Sequence, residues 1–112
     1  MVITENDAWI VRKRYFDRTP VIVKPSTPQT PQIDRGKFLC PQDLTFGQLC
    51  FIVRKRIKIE SNEALFLFLK GGTIPPTNTA ISELDVDKNR DSKGFLPITY
   101  SLENTFGCDH FL

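Results

Sequence analysis

Behind Thr45, apolar side chains fall at Phe46, Leu49, Cys50, Ile52, Val53 and Ile57, a spacing that lines one face of a helix. Thr45 is placed to cap the first turn. Arg54, Lys55, Arg56 and Lys58 crowd the last, where cations complement the helix dipole. A single helix with one apolar face must bury that face against another layer, and the segments on either side of it read as extended. Val21–Val23, after Pro20, and Lys37–Cys40, closed by Pro41, lie upstream; Ala64–Leu69 and Phe95–Tyr100 lie downstream. Proline cannot donate to a ladder, so Pro41 predicts an edge position for the second strand.

The connections agree with that division. Pro25-Ser26-Thr27-Pro28-Gln29-Thr30-Pro31 is a proline-punctuated loop, Gly71-Gly72 a tight turn, Ile74–Thr77 a rigid loop and Asp85–Lys93 a charged one. A short helical turn is expected near Ala80–Leu84, and an amphipathic helix over residues 3–15. Residues 101–112 read as an exposed tail. Two strands, a well-formed helix and two further strands make the ubiquitin-like β-grasp plan: an α+β fold with a four-stranded mixed sheet packed on one main helix. The expected organisation is an N-terminal helical extension over 1–16, the domain over 17–100 and the tail over 101–112.

Most site chemistry is excluded on the residues present. A chain of 112 residues is the length of one ordinary domain and leaves little room for a deep enclosed active site. The one histidine, His110, is third from the end, so a Cys-His nucleophile pair would have to use a terminal position. Cys108 and His110 lack further metal ligands nearby. Gly71-Gly72 lacks the spacing and lysine of a phosphate loop. Cys108 stands one residue out of register for prenylation, and Asp85, Asp87 and Asp91 lack the calcium-loop pattern. No enzyme activity, cofactor, metal or nucleic-acid partner is expected. No apolar run approaches the roughly 20 residues of a membrane span. The first residues lack the order of a secretory signal, and three cysteines suit a reducing compartment, so the expected site of synthesis is the cytosol or nucleus. Charge is uneven: residues 1–58 carry 11 Lys or Arg against 5 Asp or Glu, and residues 59–112 carry 4 against 8. A solvated surface accounts for that; a basic side also favours anionic membrane or acidic peptides.

Several motifs stand in register with one family. Lys37-Phe38-Leu39-Cys40-Pro41-Gln42-Asp43-Leu44-Thr45-Phe46-Gly47-Gln48 resembles the signature of the GABARAP and light-chain-three autophagy modifiers. Upstream, Tyr15-Phe16-Asp17-Arg18-Thr19-Pro20-Val21-Ile22-Val23 is similar to the family's Y-P-D-R-x-P-V-I-V. Arg54-Lys55-Arg56, Ile74-Pro75-Pro76-Thr77 and the ending Tyr100-Ser101-Leu102-Glu103-Asn104-Thr105-Phe106-Gly107 follow in order. The resemblance covers about residues 9–107.

That resemblance implies a conjugated modifier. A cysteine protease removes the residues after Phe106-Gly107. Activating and carrier enzymes then pass the Gly107 carboxylate, as a thioester, to phosphatidylethanolamine on autophagosomal membranes. It also implies capture of receptor peptides carrying an aromatic residue and, three positions later, Leu, Ile or Val, added as a strand beside Lys37–Cys40. By position, the aromatic pocket is expected from Val11, Pro20, Ile22, Lys37, Leu39 and Phe95. The aliphatic pocket is expected from Phe38, Cys40, Pro41, Leu44, Leu49 and Ile52. Arg18, Arg35, Lys37 and Arg56 would pair with acidic residues flanking such peptides. Phe66 and Phe68, two apart on one strand face, would face the processing protease; a buried strand face explains them equally well. Leu39 is expected to face the groove and Ile52 the core.

The chain departs from the family pattern in places. About ten residues before the first matching helix are absent, so the N-terminal extension is expected to be short. Trp9 stands at a usually polar position, Phe16 replaces a proline and Cys40 a valine. Loops near Gly71-Gly72 and within 85–94 are each a residue longer. The alternative reading is a ubiquitin-like peptide-binding adaptor that is never conjugated.

Overall fold

The computed structural model describes residues 2–104, the last by its backbone alone. The central helix, α2 (Phe46–Arg56), starts where the sequence places its cap. Thr45 Oγ1 accepts from the Gln48 amide at 3.1 Å, and Gln48 Oε1 accepts from the Thr45 amide at 2.9 Å. The reciprocal pair satisfies two donors that a helix start leaves without partners. Phe46, Leu49 and Val53 bury on one side of α2, each worth roughly 1.5–3 kcal/mol relative to exposure.

That side rests on a mixed sheet. Its strands are β1 (Arg18–Pro25), β2 (Lys37–Pro41), β3 (Glu63–Phe68) and β4 (Leu96–Asn104), in the order β2-β1-β4-β3. The central pair, β1 and β4, is parallel, and each outer strand is antiparallel to its neighbour. Alternation then sorts the side chains. Val21, Val23, Phe38, Cys40, Leu67, Leu96, Ile98 and Tyr100 join the core under α2, whereas Pro20, Ile22, Leu39 and Phe66 have the opposite parity. The Tyr100 hydroxyl donates to the Pro31 carbonyl and so ties the proline loop to the core. The fold is the expected α+β β-grasp. The remaining short elements are α3 (Ile81–Leu84) and a 3-10 turn over Asp87–Asn89.

Two boundaries differ from expectation. β4 runs to Asn104, pairing Ser101 with Phe66 and Asn104 with Glu63, so residues 101–104 belong to the sheet and not to a tail. A free edge of β3 recruited them, a pairing partner distant in sequence. The first helix, α1, spans only Ala8–Arg14, capped by the Asp7 side chain. Residues 2–7 are not helical. Instead Val2 pairs antiparallel with Phe38, and the Ile3 amide donates to the Lys37 carbonyl at 3.0 Å. Strand pairing here displaced the helix that composition alone allows over 3–15.

α1 packs against β1. Ala8, Val11, Pro20, Leu39 and Phe95 are buried outside the core under α2. Hydrogen bonds to residues 85–94 fasten α1, among them one from Arg12 Nε to the Gly94 carbonyl at 2.7 Å. The Ala8 amide donates to the Lys93 carbonyl at 2.8 Å, and Trp9 Nε1 to the Ser92 carbonyl at 3.1 Å. Arg12 grips both oxygens of Asp85, at 2.6 and 2.7 Å. Arg90 reaches the same carboxylate at 2.9 Å. Burial alone raises the Asp85 pKa, but the bonds and charges of Arg12 and Arg90 outweigh it, and the net direction is down. Gly94 makes room for Trp9: its φ is +88°, and a Cβ there would come within 2.7 Å of the indole.

Candidate functional site

β2 pairs along its length with β1 alone and so forms one edge of the sheet. A cavity opens on each side of this strand's neighbourhood. The first, about 310 Å³, is lined by Asn6, Ile22, Lys24, Lys37, Asp91, Ser92, Lys93 and Phe95. Its floor is the Phe95 ring, and Lys37 Nζ stands 5.7 Å from the ring centroid. The same ammonium donates to Asn6 Oδ1 at 2.7 Å. Phe95 is itself held by its amide, which donates to Asp91 Oδ1 at 3.0 Å. Of the six residues expected around the aromatic pocket, Ile22, Lys37 and Phe95 line this cavity. Val11, Pro20 and Leu39 are buried and line none of it.

Leu39 corrects an expectation. It has no exposed surface, whereas Ile52 is half-buried. Ile52 packs against the core as expected, and Leu39 lies outside that core, but it is sealed and does not line an open groove. Leu39 pairs with Pro20 across the ladder to β1, on the face where Pro20 is buried too.

The second cavity, about 660 Å³, lies along α2 and is lined by Leu44, Thr45, Gly47, Gln48, Phe51, Ile52, Thr77 and Asn78. Leu44 and Ile52 are the two residues of the expected aliphatic pocket that reach it. Phe38, Cys40 and Leu49 are buried in the core, and Pro41 is exposed at the end of β2. Burial pushes the Cys40 thiol up to about 11 and raises that of Cys50, so both stay protonated at neutral pH. Phe51 was missed by pattern reading. It is 60% exposed, with Lys55 Nζ 4.5 Å from its ring centroid. The available signal was an aromatic residue falling off the apolar stripe of its own helix.

Cations frame the strand. Arg18 sits in register with Pro41 at one end. Arg35 precedes β2 at the other, with φ +56°, in the left-handed region. Gly36 follows it where a Cβ would meet the Val23 carbonyl at 2.5 Å, so the entry into β2 is a close backbone approach. The Arg56 guanidinium lies 5.2 Å from the Phe38 ring centroid. Phe66 and Phe68 sit elsewhere, on β3 at the opposite edge, with Phe66 37% exposed. Gly107 and Phe106 lie outside the described residues, as do Cys108 and His110. Among the described residues no cluster of three or more His, Cys, Asp or Glu side chains could hold a metal ion. No helix there is long and apolar enough to cross a membrane.

Comparison with known proteins adds a second line of observation. The family model described as autophagy protein Atg8, ubiquitin-like, matches residues 4–107. Autophagy-related protein 8A of Oryza sativa subsp. indica is 49% identical over 98 residues, covering 87% of this chain and 81% of that protein. Autophagy-related protein 8c of Arabidopsis thaliana gives the same identity and coverage. A crystal structure of Trypanosoma brucei ATG8 superposes with a TM-score of 0.72 at 39% identity, covering 89% of this chain and 85% of that one. With one fold, one order of motifs and near-half identity across most of its length, this chain belongs to the Atg8 family of ubiquitin-like autophagy proteins.

Proposed function

We propose that this chain is a non-catalytic modifier. After cleavage behind Gly107, it is joined through that residue to phosphatidylethanolamine and recruits receptors along β2. The observation that carries the docking half is the edge itself: β2 is an outer strand, with a cavity reached by its Lys37, a second along α2 beside Leu44 and Ile52, and Arg18, Arg35 and Arg56 around it. An extended peptide completes such an edge through main-chain bonds, and its alternating side chains fall toward opposite faces. The aromatic residue would enter the cavity floored by Phe95, displacing Lys37. The aliphatic residue would enter beside Leu44 and Ile52. Arg18, Arg35 and Arg56 would attract acidic flanks.

Two observations support the conjugation half. The family match ends at Gly107, and β4 carries the chain in the sheet to Asn104, three residues short of it. Glycine suits the chemistry because without a Cβ the backbone threads a narrow protease or ligase cleft. The activating enzyme would spend ATP to turn the Gly107 carboxylate into an acyl-adenylate, releasing pyrophosphate; its thiol would displace AMP to give a thioester, and the carrier enzyme's thiol would take the acyl group by exchange. The lipid amine then attacks that carbonyl, releasing the thiol and leaving an amide. Phe66 and Phe68, on the strand paired with β4, would face the protease. The modifier would be cytoplasmic until lipidation and autophagosome-associated after it.

The test incubates the chain with processing protease, activating enzyme, carrier enzyme and vesicles containing phosphatidylethanolamine. The expected mass shows loss of residues 108–112 and gain of one lipid, and Gly107→Ala shows neither. A wild-type chain that stays unlipidated while still binding aromatic-x-x-Leu peptides would replace this reading with that of an unconjugated adaptor.

A further inference from the structure

The edge proposed for peptides is already touched by the chain's own beginning. Val2 pairs antiparallel with Phe38, and its side chain packs against the core under α2. The Ile3 amide donates to the Lys37 carbonyl at 3.0 Å. Asn6 Oδ1 accepts from Lys37 Nζ at 2.7 Å and lines the cavity floored by Phe95. One backbone bond, one apolar side chain and one polar side chain thus converge on two consecutive residues of β2. They take the positions a docked strand requires: an outward carbonyl, the inner-face surface beside Phe38 and the cation over Phe95.

We infer that residues 2–6 are an intramolecular competitor for the peptide-docking edge, an autoinhibitory strand that a receptor peptide must displace. This rests on the β2 docking reading above. Displacement is feasible because the hold is short. β1 meets β2 over five paired residues, whereas the N-terminal segment pairs at one. A backbone hydrogen bond of this kind shifts an equilibrium by only about two- to tenfold. α1 need not move, because its own cap is Asp7 and the segment ends before it. Apparent peptide affinity is then the intrinsic affinity reduced by the fraction of molecules whose edge is open.

An acidic peptide carrying Trp-x-x-Leu is titrated into the full chain, a chain starting at Asp7, and Ile3→Pro, which removes the amide donor. Both variants should bind roughly three- to tenfold more tightly than the full chain, as expected when an open edge no longer has to be uncovered. Hydrogen exchange at the Ile3 amide of the full chain should speed up on adding peptide. Equal or weaker binding by both variants, or unchanged exchange at Ile3, would overturn the competition and leave the groove standing. Absence of peptide binding by all three chains would remove the groove itself and the competition with it. If the shortened chain does not fold, as read from its circular dichroism, Ile3→Pro decides the question alone.

Discussion

The two edges of the sheet expose similar backbone groups and surround them differently. β2 is buried on both faces: Phe38 and Cys40 lie in the core under α2, and Leu39 is fully buried outside it. What remains accessible at β2 is its open margin, set among cations. β3 has only Leu67 fully buried, and Phe66 and Phe68 on its other face stay exposed or part-exposed. It lies against β4, the strand that leads toward Gly107. One edge is thus suited to main-chain recognition with charge around it, the other to aromatic contact next to the chain's exit. Edge pairing alone does not decide what an edge binds; the cover on each face does.

The difference can be broken first at its seal. Leu39→Ala should cost about 2–5 kcal/mol of stability, as for a fully buried leucine, and Ile52→Ala should cost less because its side chain is already part-exposed. Thermal or denaturant melts of both variants measure this. The opposite ranking would mean that Leu39 is not sealed from solvent.

Next comes the clamp that holds α1. Asp85→Ala removes charge-assisted bonds to Arg12 and Arg90 and should cost roughly 1.5–3 kcal/mol. Amide exchange should rise in α1 and remain unchanged in β3. The same clamp gives a pH signature. The Asp85 pKa is lowered from its ordinary 3.8, so its contribution is full above that value. It is lost as pH falls below 3.8 through the lowered folded value. Wild type should therefore lose stability more steeply than Asp85→Asn in acid melts, and identical acid profiles would remove the clamp from the account.

The β3 edge is probed by replacing both Phe66 and Phe68 with alanine. Cleavage behind Gly107 should slow by roughly tenfold or more, the scale of losing an aromatic anchor, with peptide affinity unchanged. Loss of both activities together would show that the two edges are not separate. The smallest effect is expected from Arg35→Glu and Arg56→Glu. Each should weaken binding of an acidic peptide by about two- to fivefold, because exposed ion pairs are worth little. The change should shrink at high salt and leave the cleavage rate alone, as read by titration at two ionic strengths and a mass-based cleavage assay.

Local signals carried much of this molecule. The α2 stripe, its Thr45 cap and the prolines and glycines between strands each act within a few residues. They can therefore be read from sequence without knowing what packs where. The ordered motifs from Tyr15 to Gly107 did the same for the family. Tertiary pairing decided the rest. Residues 101–104 became strand because β3 offered an open ladder, and Ile3 left the expected helix because β2 offered it a backbone partner. Leu39 and Phe51 exchanged the prominence their positions suggest: Leu39 is fully buried on the face of β2 away from α2, and Phe51 stands exposed on the outward side of α2. Periodicity names a face. Only the contacts between distant segments determine whether that face meets solvent, a helix or another strand, because burial depends on the three-dimensional arrangement of covering elements and not on local sequence alone.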